Sequence, residues 1–174
     1  MATNEVPEKL INFRVYRDGT DMLGVADAQL PSLEMMTTTI KGAGLAGEVD
    51  SPVIGHFGSM TISMNWRIST PGFTTLIKQE SHSLDIRGAA QLYDAGSGKY
   101  RTMPVKVMVK AFPKKAELGK LDVGAAQESS WEGEVTYMKV WIDGKEKIEI
   151  DKYNYICTID GDDHLAPVRK ALNP

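Results

Sequence analysis

A mainly β chain, an antiparallel sandwich or barrel with two short helices, is what the sequence predicts, and three observations carry that expectation. Across residues 59–68, Met60, Ile62, Met64, Trp66 and Ile68 alternate with Ser59, Thr61, Ser63, Asn65 and Arg67. Strand side chains point to opposite faces in turn, so this is a strand with one dry and one wet side. A second alternating pair, residues 83–93 and 103–111, is joined by the glycine-rich turn Asp94-Ala95-Gly96-Ser97-Gly98-Lys99. The third is Asp143-Gly144 between the runs 135–142 and 145–150, a strong hairpin signature.

Taken in order, residues 10–16 form a short strand and Arg17-Asp18-Gly19-Thr20 a turn. Residues 22–30 continue as a second strand ended by Pro31, giving an opening hairpin. Residues 33–40 are rich in β-branched threonine and isoleucine and make a strand, although neither face is cleanly apolar. After the 59–68 strand, Thr70-Pro71 reads as an N-cap followed by proline at the first helical position. That short helix runs to Gln79 with Phe73, Leu76 and Ile77 as its buried stripe. The strand of Met103, Val105, Val107, Val109 and Ala111 closes at Pro113, and residues 114–130 form a loop with at most one short edge strand. Residues 154–159 add a last strand, and Asp162 or Asp163 caps a terminal helix carrying Leu165, Val168 and Leu172.

The connection 41–58 stands out, because ordinary hairpin loops have two to five residues. It holds Gly42, Gly44, Gly47, Gly55 and Gly58, yet also Leu45, Val49, Val53, Ile54 and Phe57. Leaving large apolar side chains in water forfeits roughly 1.5–3 kcal/mol each, so this arm folds back on its own domain or lies on another copy. Gly42-Ala43-Gly44-Leu45-Ala46-Gly47 also fits the dinucleotide pattern G-x-G-x-x-G. That pattern works only when a helix follows to hold the pyrophosphate, and here Glu48-Val49-Asp50-Ser51-Pro52 follows instead.

The 174 residues, 42% hydrophobic and 25% charged, fit one domain, 1–174, carrying the arm 41–58. A net charge of −3 argues against a basic nucleic-acid grip. The single Cys157 excludes an intrachain disulfide, and the sequence has neither a signal-peptide pattern nor a membrane span, which predicts a soluble subunit. No catalytic, cofactor-binding or metal-binding set is expected. His56, His82 and His164 stand at no ligand spacing, and Ser81-His82-Ser83 with Asp85 alternate across a strand, leaving His82 as a surface residue. Asp160-Gly161-Asp162-Asp163 lacks the order and closing glutamate of a calcium loop.

Several motifs then add up along the chain. Arg17-Asp18-Gly19 with Gly24-Val25, Gln29-Leu30-Pro31-Ser32-Leu33, Lys41-Gly42-Ala43-Gly44-Leu45-Ala46-Gly47 and Met60-Thr61-Ile62-Ser63-Met64-Asn65-Trp66 come in the first half. Tyr137-Met138-Lys139-Val140-Trp141-Ile142-Asp143-Gly144, Ile159-Asp160-Gly161-Asp162-Asp163 and Arg169-Lys170-Ala171-Leu172 follow. In this order and spacing the chain resembles the major tail tube proteins of contractile-tailed phages and phage-tail-like bacteriocins, the P2-type tail tube family, over nearly its full length.

The resemblance implies a non-enzymatic β-sandwich that closes into hexameric rings, which stack into the inner tube of a tail. It implies four bore-facing strands per subunit, here 33–41, 59–68, 83–93 and 103–110, merging around the ring into a barrel without edges. About two dozen strands spaced ~4.8 Å and tilted ~45° give a backbone diameter of roughly 50 Å, wide enough for duplex DNA. Ser59, Thr61, Ser63, Asn65, Asp85 and Gln91 would line that lumen, and the arm residues Gly42, Gly44, Leu45, Gly47, Val53, Ile54 and Phe57 would clasp an adjacent subunit or ring. The implied partners are further copies, a sheath protein outside, tape-measure protein and transiting DNA inside, and a baseplate hub and tail terminator at the ends. The implied location is the virion tail or bacteriocin particle, assembled in the bacterial host cytoplasm. The competing reading is a monomeric β-sandwich binding module, for instance for carbohydrate, built on Tyr93, Tyr100 and Tyr153.

Overall fold

The computed structural model describes residues 4–172; residues 1–3 of the polar lead and the last two residues lie outside the described residues. Its centre is β6 (Thr61–Trp66), whose Met60, Ile62, Met64 and Trp66 side chains are almost completely buried. The alternation that identified this strand is therefore real burial. Ile68, placed on the same dry face by pattern, is instead 64% exposed, because the strand ends at Trp66 and the chain bends away.

Around β6 lie β1 (Glu5–Arg17), β2 (Asp21–Met22), β3 (Asp27–Gln29), β7 (His82–Asp94), β8 (Lys99–Glu117), β9 (Ser129–Ile142), β10 (Lys145–Asp151), β11 (Ile156–Ile159) and β12 (Asp162–Asp163). They form one antiparallel sheet in the order β12-β11-β10-β9-β8-β7-β1-β2, to which β3 and β6 attach through β9. The sheet stays open, so the described chain closes no barrel on itself. β9 has two partners on one side: β6 along residues 129–134 and β10 along residues 137–142. β4 (Met35–Ile40) and β5 (Val49–Phe57) pair only with each other. The assignment of residues 33–41 to the barrel alongside the other three strands is thus corrected, since β4 belongs to a separate two-stranded ribbon.

Packing follows from the same patterning. α1 (Pro71–Thr75) starts as expected, with Thr70 Oγ1 accepting from Phe73 N at 3.3 Å, but ends at Thr75 rather than Gln79. Phe73 meets Trp66 edge-on at 5.0 Å, and Leu76 is fully buried. Each buried indole satisfies its N–H within the core: Trp66 Nε1 donates to Leu23 O at 2.8 Å and Trp131 Nε1 to Leu76 O at 2.9 Å. His82, expected at the surface, is buried with Nε2 on Lys78 O at 3.1 Å. α2 (Ala166–Leu172) is entered through Asp163, whose Oδ1 accepts from Leu165 N at 3.0 Å.

Prolines explain the remaining differences. β1 begins at Glu5, well before residue 10, and β8 runs through Pro113 to Glu117. Pro113 pairs with Gly133 of β9 beyond the last β7–β8 pair, His82–Ala111, so its missing N–H falls on a free side. Pro7 likewise sits where β1 pairs only with β7. The predicted 22–30 strand splits into β2 and β3, which serve different neighbours. Among the described residues, no helix is long and apolar enough to cross a membrane.

Candidate assembly surfaces

Two features present chemistry outward. The first is the ribbon β4–β5, the structured form of the 41–58 arm. Thr38 faces Ser51 and Ile40 faces Val49, while Thr37 faces Pro52 and Thr39 faces Asp50. By alternation Met36, Ile40, Val49 and Val53 share one face, and Thr37, Thr39, Asp50 and Ile54 the other. Thr39 Oγ1 donates to Asp50 Oδ1 at 2.7 Å on that second side. Met36, Ile40, Val49 and Val53 are all exposed, so the ribbon has an apolar face with no cover in its own chain.

At its base the ribbon is fastened. Phe57, expected to reach a neighbour, is instead buried in this chain's own core beside Ile150 and Leu165. Gly55 has φ +67°, and a Cβ there would stand 2.5 Å from Leu165 Cγ. At the tip Gly42, Gly44 and Gly47 carry the bend with Leu45 exposed, and no helix follows them. Val53 and Ile54 are exposed as the sequence suggested. Met36 and Ile40 were missed, and Val49 was counted among the arm's apolar residues without being placed on a neighbour; the signal was there, in apolar residues flanking the glycine tip at Ile40 and Val49.

The second feature is the polar face of the main sheet, which gathers all six predicted lumen residues. Thr61, Ser63 and Asn65 stand opposite Glu134, Glu132 and Ser130, and Asp85, Arg87 and Gln91 opposite Met108, Lys106 and Thr102. The face is hydrogen-bonded throughout. Ser59 Oγ donates to Glu134 Oε2 at 2.6 Å, Asn65 Nδ2 to Asp27 Oδ1 at 2.6 Å and Gln91 Nε2 to Glu8 Oε2 at 2.7 Å. Lys114 Nζ reaches Thr61 Oγ1 at 3.2 Å and Glu134 Oε2 at 3.3 Å. Burial pushes Glu134 up, but hydrogen bonds from Ser59, Lys114 and Met60 N outweigh it and hold the carboxyl below its ordinary range.

Asp85 departs from expectation. Its side chain is 5% exposed, covered by Arg87, whose Nε donates at 3.0 Å, and by Lys106 at 3.6 Å. Three cations of this face lie on aromatic rings: Arg87 over Tyr16 at 4.7 Å, Lys106 over Trp141 at 5.0 Å and Lys110 over Tyr137 at 5.4 Å. Lys139 pairs with Glu146 at 2.9 Å and Glu149 at 3.3 Å. Tyr137 donates to Glu149 at 3.0 Å, and burial together with that carboxylate pushes its phenol up to about 12. The face is therefore densely charged, with Arg87, Lys106, Lys114 and Lys139 each held by a carboxylate.

An open sheet, a fastened apolar ribbon and a hydrogen-bonded polar face describe a building part. The profile of the family described as phage tail tube protein FII matches residues 7–172. The chain belongs to the phage tail tube protein family. Its sequence is 29% identical to the tail tube protein of Escherichia phage P2, over 96% of this chain and 98% of the phage protein. In fold it is similar to a chain of the cryo-EM structure described as an extracellular contractile injection system, PVC sheath/tube terminator in extended state. That match has a TM-score of 0.53 at 16% identity, covering 79% of this chain and 96% of the other.

Proposed function

We propose that six copies close into a ring and that rings stack into the hollow inner tube of a contractile tail, conducting DNA in a phage or ions in a bacteriocin-like particle. The observation that carries this reading is the uncovered apolar face of the β4–β5 ribbon on a chain whose sheet ends are open. A lone two-stranded ribbon is marginal in water, and open edges invite pairing with further copies. Both conditions are relieved when siblings supply the missing cover.

The contiguous block β6-β9-β8-β7 replaces the sequence-based choice of strands as the wall of the bore. Its polar face suits transit, because each free cation that neutralises a phosphate adds a salt-dependent attraction. Here Arg87 and Lys106 are held by Asp85, and Lys114 by Glu134. The role is structural, without catalysis. Sheath outside, tape-measure protein and transiting DNA inside, and baseplate hub and terminator at the ends complete the proposal, with assembly in the host cytoplasm and residence in the tail. The carbohydrate-binding alternative needs one aromatic face, whereas Tyr93 and Tyr100 sit at the β7–β8 turn and Tyr153 and Tyr155 at the β10–β11 turn.

Negative-stain microscopy of the purified protein, alone and seeded with tail baseplates, tests the reading. Annuli or tubes are expected. Uniformly monomeric particles under both conditions overturn it.

A further inference from the structure

The connection between β8 and β9, residues 118–128, has no part in the account above, yet it carries the most exposed apolar side chains in the described chain. Leu118, Leu121 and Val123 are 62%, 87% and 103% exposed. A slack loop would account for that, but this one is pinned. Gln127 donates its backbone N–H to Arg67 O at 2.7 Å and its Nε2 to Leu118 O at 2.6 Å. It accepts from Lys120 N on its carbonyl at 2.8 Å and from Ser69 N on Oε1 at 3.0 Å. Ala125 N closes the tip on Asp122 O at 3.2 Å. Gly119, with φ +76°, lets the backbone pass so close that a Cβ there would stand 1.9 Å from Gln127 O. A fixed backbone with leucine and valine turned outward is a contact whose ordering cost is already met.

Its place in the fold says what it fits. The pair Trp66–Ser129 puts the loop at the end of β6 where the chain leaves the strand. The ribbon joins the body at the other end of β6, where Gly58 N donates to Glu34 O at 2.9 Å and Val135 N to Met60 O at 2.7 Å. The loop and the root of the ribbon lie at opposite ends of one strand, and two different surfaces that meet make a heterologous pair, which repeats head to tail into an open stack rather than closing as a dimer. The charges agree. The ribbon tip carries the exposed pair Lys41–Glu48 and the loop the exposed pair Lys120–Asp122, so on contact each cation meets the anion of the other copy.

We infer that the 118–126 loop of one copy receives the apolar face of the β4–β5 ribbon from a second copy, as the axial contact between successive rings. The inference rests on the tube reading above. Two experiments test it. Replacing both Leu121→Asp and Val123→Asp, at exposed positions, leaves the far-UV spectrum and melting unchanged and raises the critical concentration for tube formation roughly a hundredfold, with annuli retained. Mixing a Val49→Cys chain with a Val123→Cys chain under oxidation gives a reducible heterodimer on denaturing gels, Cys157 being buried and inert. If wild-type protein forms no annuli or tubes, the tube reading itself fails. If wild-type tubes form and the double aspartate variant stacks as well as wild type with no heterodimer in the mixture, this inference alone is overturned. Tubes from that variant that merely fail to hold a sheath overturn it too, and assign the loop to the outer partner.

Discussion

At the scale of single residues, the polar face is governed by carboxylates that each restrain more than one cation. Asp85 holds Arg87 and Lys106, and Glu134 takes hydrogen bonds from Ser59 and Lys114. Replacing Asp85→Asn and Glu134→Gln together keeps the shape and releases four cations, since Lys152 also pairs with Glu134 at 3.6 Å. Assembled tubes of this variant should retain duplex DNA, with a salt slope steeper by about one per released cation, in a filter-binding titration; wild-type tubes should show little retention. Tyr137 allows a separate check. Its folded value near 12 lies above the ordinary tyrosine value of 10.0, so its contribution to stability is complete below pH 10 and is lost as pH rises from 10 towards 12. Absorbance titration should show one of the six tyrosines ionising late, and Glu149→Gln should bring that step down. The burial of Asp85 was not legible in the sequence. Alternation put it on the wet side, as the register confirms, but only the positions of Arg87 and Lys106 across the strands could reveal that they would cover it.

At the scale of elements, what the sequence disclosed depended on whether burial followed the period. β6 was legible because one side of it is wholly dry. The Asp143-Gly144 hairpin and the Thr70-Pro71 helix start were legible because turns and caps need particular side chains. β5 was hidden, since Pro52 and Gly55 usually interrupt strands; a two-stranded ribbon has a free side on each strand, which makes room for both. The extensions of β1 past Pro7 and β8 past Pro113 were hidden for the same reason. The ribbon's apolar face gives a prediction at this scale. Ile40→Lys with Val49→Glu exchanges the cross-strand contact of that pair for opposite charges and touches no core packing, so the free subunit should keep its stability within about 1 kcal/mol. Assembly should fail, as read by sedimentation. A large loss of melting temperature would mean that the ribbon's face is covered by its own chain in solution.

At the scale of the molecule, the proposed tube implies that the chain gains stability when it assembles. Burying the ribbon face and the open sheet margins in neighbours stabilises the folded chain by mass action. The melting temperature should therefore rise with protein concentration and step upward when baseplates seed tubes, in scanning calorimetry. A melting curve independent of concentration across the assembly threshold would contradict this. The ribbon is fastened to the core of the main sheet by Phe57.

The forked course of β9 has a mechanical corollary. Its leading half is knit to β6 and its trailing half to β10, with the ribbon rooted beside the crotch where the two branches part. A load on the finger is delivered to that crotch and divides along both branches, each of which must shear several ladder bonds at once rather than peel them singly. In the tube proposed above, a subunit wired in this way would meet an axial load with both ladders together.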